Sequence, residues 1–224
     1  MIPLQDSNPL SKFPFWVITI ILVNIFVFYL ELTSLAPDVF ISQYALILEQ
    51  VDLANLNTLS PFLTSQFLHA GFIHIISNML FLWVFGNNVE VSLGFLFFPI
   101  FYLASGTVAG LTQYLLTPQT PIPILGASGS VAGILGAYFA LFPKNRIKTL
   151  VFILIFVTII DVPAYFLLIF WFITQFFSGI ASISSSPTDG GIAFLPHIGG
   201  FLFGWLSAVL LLQKKHNLQL RFFS

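Results

Sequence analysis

The sequence predicts an all-α integral membrane protein of about six transmembrane helices, and three observations predict it. Of its 224 residues, 58% are hydrophobic and only 7% are charged, against roughly 25% charged in a soluble domain. No Asp, Glu, Lys or Arg stands between Asp52 and Glu90 or between Glu90 and Lys144, so both stretches can lie in hydrocarbon without burying a charge. The chain also divides into apolar runs, most near the roughly 17–25 residues a span needs, separated by Pro, Gly and polar residues. A net charge of −1 with few cations gives no footing to a nucleic-acid partner. Cysteine is absent, which removes disulfides, thiolate metal sites and a cysteine nucleophile together.

Residues 1–12 read as a short cytoplasmic N-terminus. The apolar run from Phe13 to Leu32 outlasts the ~7–15-residue apolar region of a signal peptide, so Pro14–Leu32 is the first span. The loop Thr33–Phe67 mixes acids with apolar residues such as Val39, Phe40 and Ile41, which predicts short helices lying in the outer interface. Gly71–Val89 and Gly94–Leu116 follow as spans. Ala127–Phe142 is apolar but short, bounded by the Pro-rich loop Thr117–Leu125 and by Pro143, and at ~1.5 Å per residue it covers only about 24 Å. Asp161, Val162 and Pro163 divide the next apolar stretch, with Asp161 read as a turn former at the cytoplasmic interface. Pro163–Ile180 and Leu195–Leu212 complete the set, and the Ser, Thr and Gly residues after Asp189 read as loop. The membrane domain is thus 13–213, with residues 214–224 a cytoplasmic tail in which His216 is solvated.

Orientation follows from the cations. Lys144, Arg146 and Lys148 form one basic cluster and Lys214, Lys215 and Arg221 another, and both belong on the cytoplasmic side. An even number of spans must separate them. Pro163–Ile180 and Leu195–Leu212 supply two, which makes Thr149–Ile160 a non-spanning segment in or near the cytoplasmic interface. Counting back through four spans puts Lys12 inside and the loop Thr33–Phe67 outside.

A polar side chain inside a span is costly and is a functional hypothesis by default. His74 and Asn78 stand near the start of the second span, Ser128 at the start of the fourth and His197 at the start of the sixth. These three spans run in one direction, so the four side chains come to one depth below the outer surface. His74 and Asn78 are four residues apart and share a helix face. Ser128 stands in Gly126-Ala127-Ser128-Gly129, where small residues allow close approach and a helix start supplies unpaired N–H groups. His197-x-x-Gly200-x-x-x-Gly204 and Gly129-x-x-x-Gly133-x-x-Gly136 are spaced for close helix packing, which would bring the imidazole to the serine hydroxyl as the base a weak nucleophile needs. Taken singly, an intramembrane serine is more often a packing residue and a His near a helix end more often interfacial. His69 reads that way, as a structural residue. Depth shared by four residues is what separates the catalytic reading from these.

The motifs His69-x-x-x-x-His74-x-x-x-Asn78 with Gly86 and Glu90, then Gly126-x-Ser128-Gly129-x-x-x-Gly133, then His197-x-x-Gly200-x-x-x-Gly204 resemble those of the rhomboid intramembrane serine proteases over about residues 61–212. The segment Arg146 to Gly179, with Val162-Pro163-Ala164, is similar to that of many bacterial rhomboids, pointing to a bacterial plasma membrane. The resemblance implies a six-helix rhomboid-like bundle, with Ser128 as nucleophile and His197 as general base in a dyad without an orienting carboxylate. It implies an oxyanion hole of His74, Asn78 and the Ser128 backbone N–H, with Gly126, Gly129 and His69 in support. Substrates would be single-pass transmembrane proteins entering beside the fifth helix, in contact with membrane lipid, and no cofactor or metal is implied. Two departures stand out. The loop Thr33–Phe67 lacks the Trp-Arg pair of some relatives, and position 132 is Ala where some place a Tyr against the histidine. The first leaves open what shapes that loop, and the second what holds the His197 ring. Two other readings differ in class: a catalytically silent binder of transmembrane helices, and a small transporter using His74 and His197, for which internal repeats and acidic residues within spans are missing.

Overall fold

Apolar runs become helices close to their expected limits, and the strongest departure falls where β-branched residues crowd together. The computed structural model of the protein describes residues 1–7, 12–153, 156–184 and 194–222, with the side chains of 153, 178–184 and 214–222 outside the description. Its helices are α1 (Phe15–Thr33), α2 (Pro37–Tyr44), α3 (Pro61–Thr64), α4 (Phe72–Leu93), α5 (Phe97–Leu116), α6 (Ser128–Leu141), α7 (Ala164–Ser184) and α8 (Phe194–Phe222). Three strands accompany them: β1 (Ile2–Asp6), β2 (Arg146–Ile153) and β3 (Phe156–Pro163).

The protein is therefore mostly helical but not all-α. β2 and β3 form an antiparallel hairpin in which Lys148 stands opposite Asp161, and β1 adds antiparallel to the outer edge of β2. Asp161 is thus a strand residue and not the turn former expected of it. The physical reason is composition. Ile147, Thr149, Val151, Val157, Thr158, Ile159, Ile160 and Val162 are β-branched and lose side-chain freedom in a helix while packing well on a pleated surface. Ile147, Thr149 and Val151 are buried and alternate with exposed Lys148 and Phe152, the period of two that a one-sided sheet requires. Residues 1–6, expected to be only a short terminus, supply the third strand. At the other end α8 continues as helix past residue 213, the expected limit of the membrane domain. The predicted loop after Asp189 lies outside the described residues.

Among the described residues three helices are long and apolar enough to cross a membrane: Phe15–Thr33, Phe72–Leu93 and Phe194–Gln213. The third expected span falls short for a local reason, since α5 carries Ser105, Thr107, Thr112 and Gln113. Ser105 and Gln113 are turned into the protein and fully buried, so α5 spends its polarity on packing. Ser128–Leu141 and Ala164–Phe177 are apolar but shorter.

α6 is the hub. Every residue from Gly129 to Tyr138 is buried, and α4, α5 and α8 surround it. Contact between α6 and α8 is backbone to backbone: a Cβ at Gly204 would sit 1.8 Å from the Gly133 carbonyl oxygen, and one at Gly200 2.2 Å from that of Gly129. No other residue type permits this crossing, and it fixes where the start of α8 lies against the start of α6.

The loop between α1 and α4, which contains α2, α3 and three 3-10 turns (Leu48–Gln50, Leu56–Thr58 and Ser65–Phe67), is held without Trp or Arg. Leu46 and Ile124 exchange two backbone hydrogen bonds of 2.9 Å, and Gly126 N–H donates to the Ser65 carbonyl at 2.9 Å. The Gln66 carboxamide donates to the Phe62 and Leu103 carbonyls and accepts from Ser130 Oγ at 2.9 Å. The loop is therefore stitched directly to α5, to α6 and to the segment that leads into Ser128.

Candidate active site

Ser128 is the first residue of α6, so the backbone N–H groups around it have no carbonyl one turn earlier in the helix. Gly126, two residues before, has φ of +123°, in the region that L side chains rarely adopt, and a Cβ there would lie 2.7 Å from His74 Nε2. The imidazole of His74 thus closes over the turn that presents the serine. Gly129 faces Ala109 of α5 at a distance that leaves no room for a side chain.

His74 and Asn78, four residues apart on α4, line the same cavity as Ser128 and His197, a space of about 230 Å³ bounded also by Trp171 and Gln175 of α7. The expected site residues Ser128, His197, His74 and Asn78 therefore do converge, on the scale of one small chemical group. Their hydrogen bonding is incomplete in a patterned way. The Nε2 of His197 and the Nδ2 of Asn78 are buried and make no hydrogen bond. Ser128 and His197 consequently share the cavity without a direct bond. On His74, Nδ1 accepts a long bond of 3.4 Å from the Ala70 N–H, which leaves the proton of the neutral ring on Nε2, the nitrogen turned toward Gly126.

His69 is not in the cavity. It is 2% exposed, lies edge-on to His74 with ring centroids 5.1 Å apart, and its backbone N–H donates to the carboxylate of Glu31 on α1, the nearer oxygen at 3.0 Å. Burial, with His74 beside it, pushes the imidazole down to about 4, and only the nearby Phe67 carbonyl pulls it back a little. His69 thus packs behind His74, outside the cavity.

Two residues that sequence reasoning passed over complete the surroundings of His197. The ring stacks obliquely on Trp171, centroids 5.8 Å apart, and its Nδ1 lies 2.7 Å from Gln175 Oε1. Both come from one face of α7, four residues apart. Gln175 was discoverable. It is a glutamine inside an expected span, and the rule that flagged His74 and Asn78 applies to it equally.

A chain of apolar helices around a small polar cavity defines an integral membrane protein, and its matches assign it further. The family model described as Rhomboid domain matches residues 56–214, and the chain belongs to the Rhomboid family, whose members are generally intramembrane serine proteases. It is 31% identical over 162 residues to the rhomboid protease GluP of Bacillus subtilis, covering 67% of this chain and 29% of that protein. Likewise it is 30% identical over 170 residues to the mitochondrial Rhomboid protein 1 of Saccharomyces cerevisiae, covering 69% and 44%. With the mitochondrial RHOMBOID-like protein 6 of Arabidopsis thaliana the identity is 32% over 154 residues, covering 68% and 44%. The chain thus spans less than half the length of each of these relatives, which come from bacteria and from mitochondria alike.

Proposed function

We propose that this protein is a serine endopeptidase that hydrolyses peptide bonds in or near transmembrane segments, with Ser128 as nucleophile and His197 as general base. One observation carries the reading: a serine at a helix start, two histidines and an asparagine border one cavity, and the Nε2 and Nδ2 atoms that would act there are buried with no partner inside the protein. Other buried side-chain atoms are also unbonded, and what marks this pair is that both residues border one cavity together with Ser128.

In this mechanism the Ser128 Oγ attacks the substrate carbonyl carbon while its proton passes to His197 Nε2. The carbonyl oxygen, now negative, is received by Asn78 Nδ2, by the Nε2–H of His74 and by the Ser128 backbone N–H. His197 then gives its proton to the leaving amine, and a water repeats the sequence on the acyl-enzyme. The Ser128–His197 hydrogen bond forms as substrate enters the cavity. Substrates are single-pass membrane proteins that approach past α7, and the supporting observation is that α7 shows Tyr165, Phe166, Ile169 and Phe170 outward. All six long helices cross the bilayer, the shorter α6 inside the ring of the others. In this reading the N-terminus, the sheet and the residues after 213 face the cytoplasm, and the membrane is a bacterial plasma membrane.

The test is cleavage of a generic transmembrane substrate by the purified protein in liposomes. Wild type cleaves, while Ser128→Ala and His197→Ala fall to background with unchanged thermal unfolding, and a fluorophosphonate labels wild type alone. Cleavage or labelling that survives in Ser128→Ala would end this reading.

A further inference from the structure

We infer that Gln175 is the positioning residue of His197, filling with a neutral carboxamide the place that an aspartate holds in a serine triad. The inference rests on the reading of His197 as base. It begins from a gap: among the described residues no carboxylate borders the cavity, and position 132, at Ala, offers no ring to lean on the imidazole. α7 fills that gap with two side chains. Trp171 lies against the face of the ring, and Gln175 presents its Oε1 to Nδ1 at 2.7 Å.

A carboxamide oxygen can only accept a hydrogen bond, so the bond exists only when Nδ1 carries the proton. A neutral imidazole with its proton on Nδ1 has its lone pair on Nε2. That is the nitrogen left buried and unbonded in the cavity shared with Ser128. Gln175 therefore selects the one tautomer that can take a proton from Ser128, and with Trp171 it fixes the plane in which the lone pair points. The sense of the amide matters. Were its nitrogen turned to the ring, Nδ1 would have to accept and Nε2 would carry the proton, a fault worth about 10⁴ in kcat when an amide imposes it on a serine triad.

In the proton balance, the Ser128 hydroxyl proton goes to Nε2 as the Oγ–C bond forms, and the same proton leaves with the amine. The Nδ1 proton stays on Nδ1 throughout, shared with Gln175. A carboxamide differs from a carboxylate in one respect that can be measured: it orients the ring without adding a negative charge to favour the imidazolium. His74 is the titratable side chain that shares the cavity with His197, and a positive charge on it would likewise oppose the imidazolium.

Histidine labelled with ¹⁵N in the detergent-solubilised protein reads the tautomer directly and without turnover. In wild type and in Ser128→Ala, His197 should show a protonated Nδ1 and an unprotonated Nε2. In Gln175→Leu, of similar volume, the preference should be lost. Kinetically, Gln175→Leu should lower kcat by about 2–12-fold, the worth of one neutral hydrogen bond, with KM unchanged. Gln175→Glu keeps the size and the acceptor, so it should restore kcat, and its charge should move the acid limb of the kcat–pH profile to higher pH. A wild-type His197 protonated on Nε2 would overturn the proposal, as would a Gln175→Leu protein with unaltered tautomer and kcat. Should Gln175→Leu unfold, Gln175→Glu decides alone: an unmoved acid limb refutes the inference. The protease reading fails separately, through cleavage retained in Ser128→Ala, and leaves the tautomer measurement standing.

Discussion

The two ends of the bundle treat their polar side chains in opposite ways. At the end that carries the sheet, the two carboxylates Glu90 and Asp6 are matched with donors. Glu90, at the close of α4, accepts from the backbone N–H groups of Trp16 and Val17 at the start of α1, each at 2.9 Å, placing a carboxylate where a helix N-terminus favours negative charge. Asp6 of β1 accepts from Tyr138 and Asn88, and Asn145 donates to the Tyr138 hydroxyl at 3.1 Å. At the other end the cavity holds His197 Nε2 and Asn78 Nδ2 without partners. The paired carboxylates at one end stabilise the fold, and the unbonded nitrogens at the other border one cavity. Burial alone does not separate the two kinds, since Asn78 and Glu90 are almost equally buried.

The most complete way to break this comparison is to find both ends on one side of the membrane. Cysteines placed at Asn57 in the outer loop and at Lys148 in the sheet, both exposed positions of a cysteine-free chain, should react with an impermeant thiol reagent from opposite sides. Labelling of both from one side would undo the six-span orientation.

Next in size is Asn78. A preorganised donor that meets charge only as it develops contributes to the transition state, so Asn78→Ala should lower kcat by about 10²–10³ with little change in KM or thermal stability. His74→Ala should act in the same sense, and the double variant should lose less than the product because both donors serve one oxygen. A rise in KM at constant kcat would make Asn78 a binding residue instead.

Glu90→Ala should show the reverse profile. It strands one buried and one half-buried N–H group and removes charge-assisted bonds worth about 1.5–3 kcal/mol each, so the melting temperature should fall while kcat at a permissive temperature holds. If kcat falls as steeply as in Asn78→Ala, the ends are not independent and the comparison fails.

The smallest effect concerns His69. Its folded value of about 4 lies below the ordinary 6.5, so the unfolded chain binds a proton in that interval and the folded one does not. Stability from the neutral ring is therefore complete above about pH 6.5 and declines as pH falls toward 4, at no more than about 1.4 kcal/mol per unit. Melting temperatures between pH 7 and pH 4.5 should show this slope in wild type and a shallower one in His69→Gln. Parallel slopes would mean that His69 is not buried neutral.

Much of this contrast was legible in the sequence at the cavity end and little at the sheet end. Ser128, His197, His74 and Asn78 stood out because each is a polar residue in an apolar run, and glycine spacing on α6 and α8 announced the crossing that joins them. Gln175 met the same rule as His74 and Asn78 but was passed over, whereas Trp171 carries no such signal and only the fold turns it toward His197. The sheet was hidden for another reason. Residues 149–160 are apolar enough to read as interfacial, and whether such a run is strand or helix depends on a partner strand. Here β2 and β3 pair with each other as a hairpin, and the third strand, β1, comes from the far end of the sequence in a register with β2 that no local pattern records.

That distant pairing has a consequence for how the molecule is made. Ile2 pairs with Leu150, so the first strand leaves the ribosome long before the strand it needs. At about 5–20 residues per second, β1 waits on the order of 7–30 s with its backbone edge open while α1, α4, α5 and α6 are synthesised. The sheet can close only after these helices have been delivered to their places, and Asp6 can reach Tyr138 only when α6 stands correctly beside α4. Closure of β1 onto β2 therefore becomes possible once α1, α4, α5 and α6 have been made and before α7 and α8 have, so it can latch the first four long helices ahead of the last two.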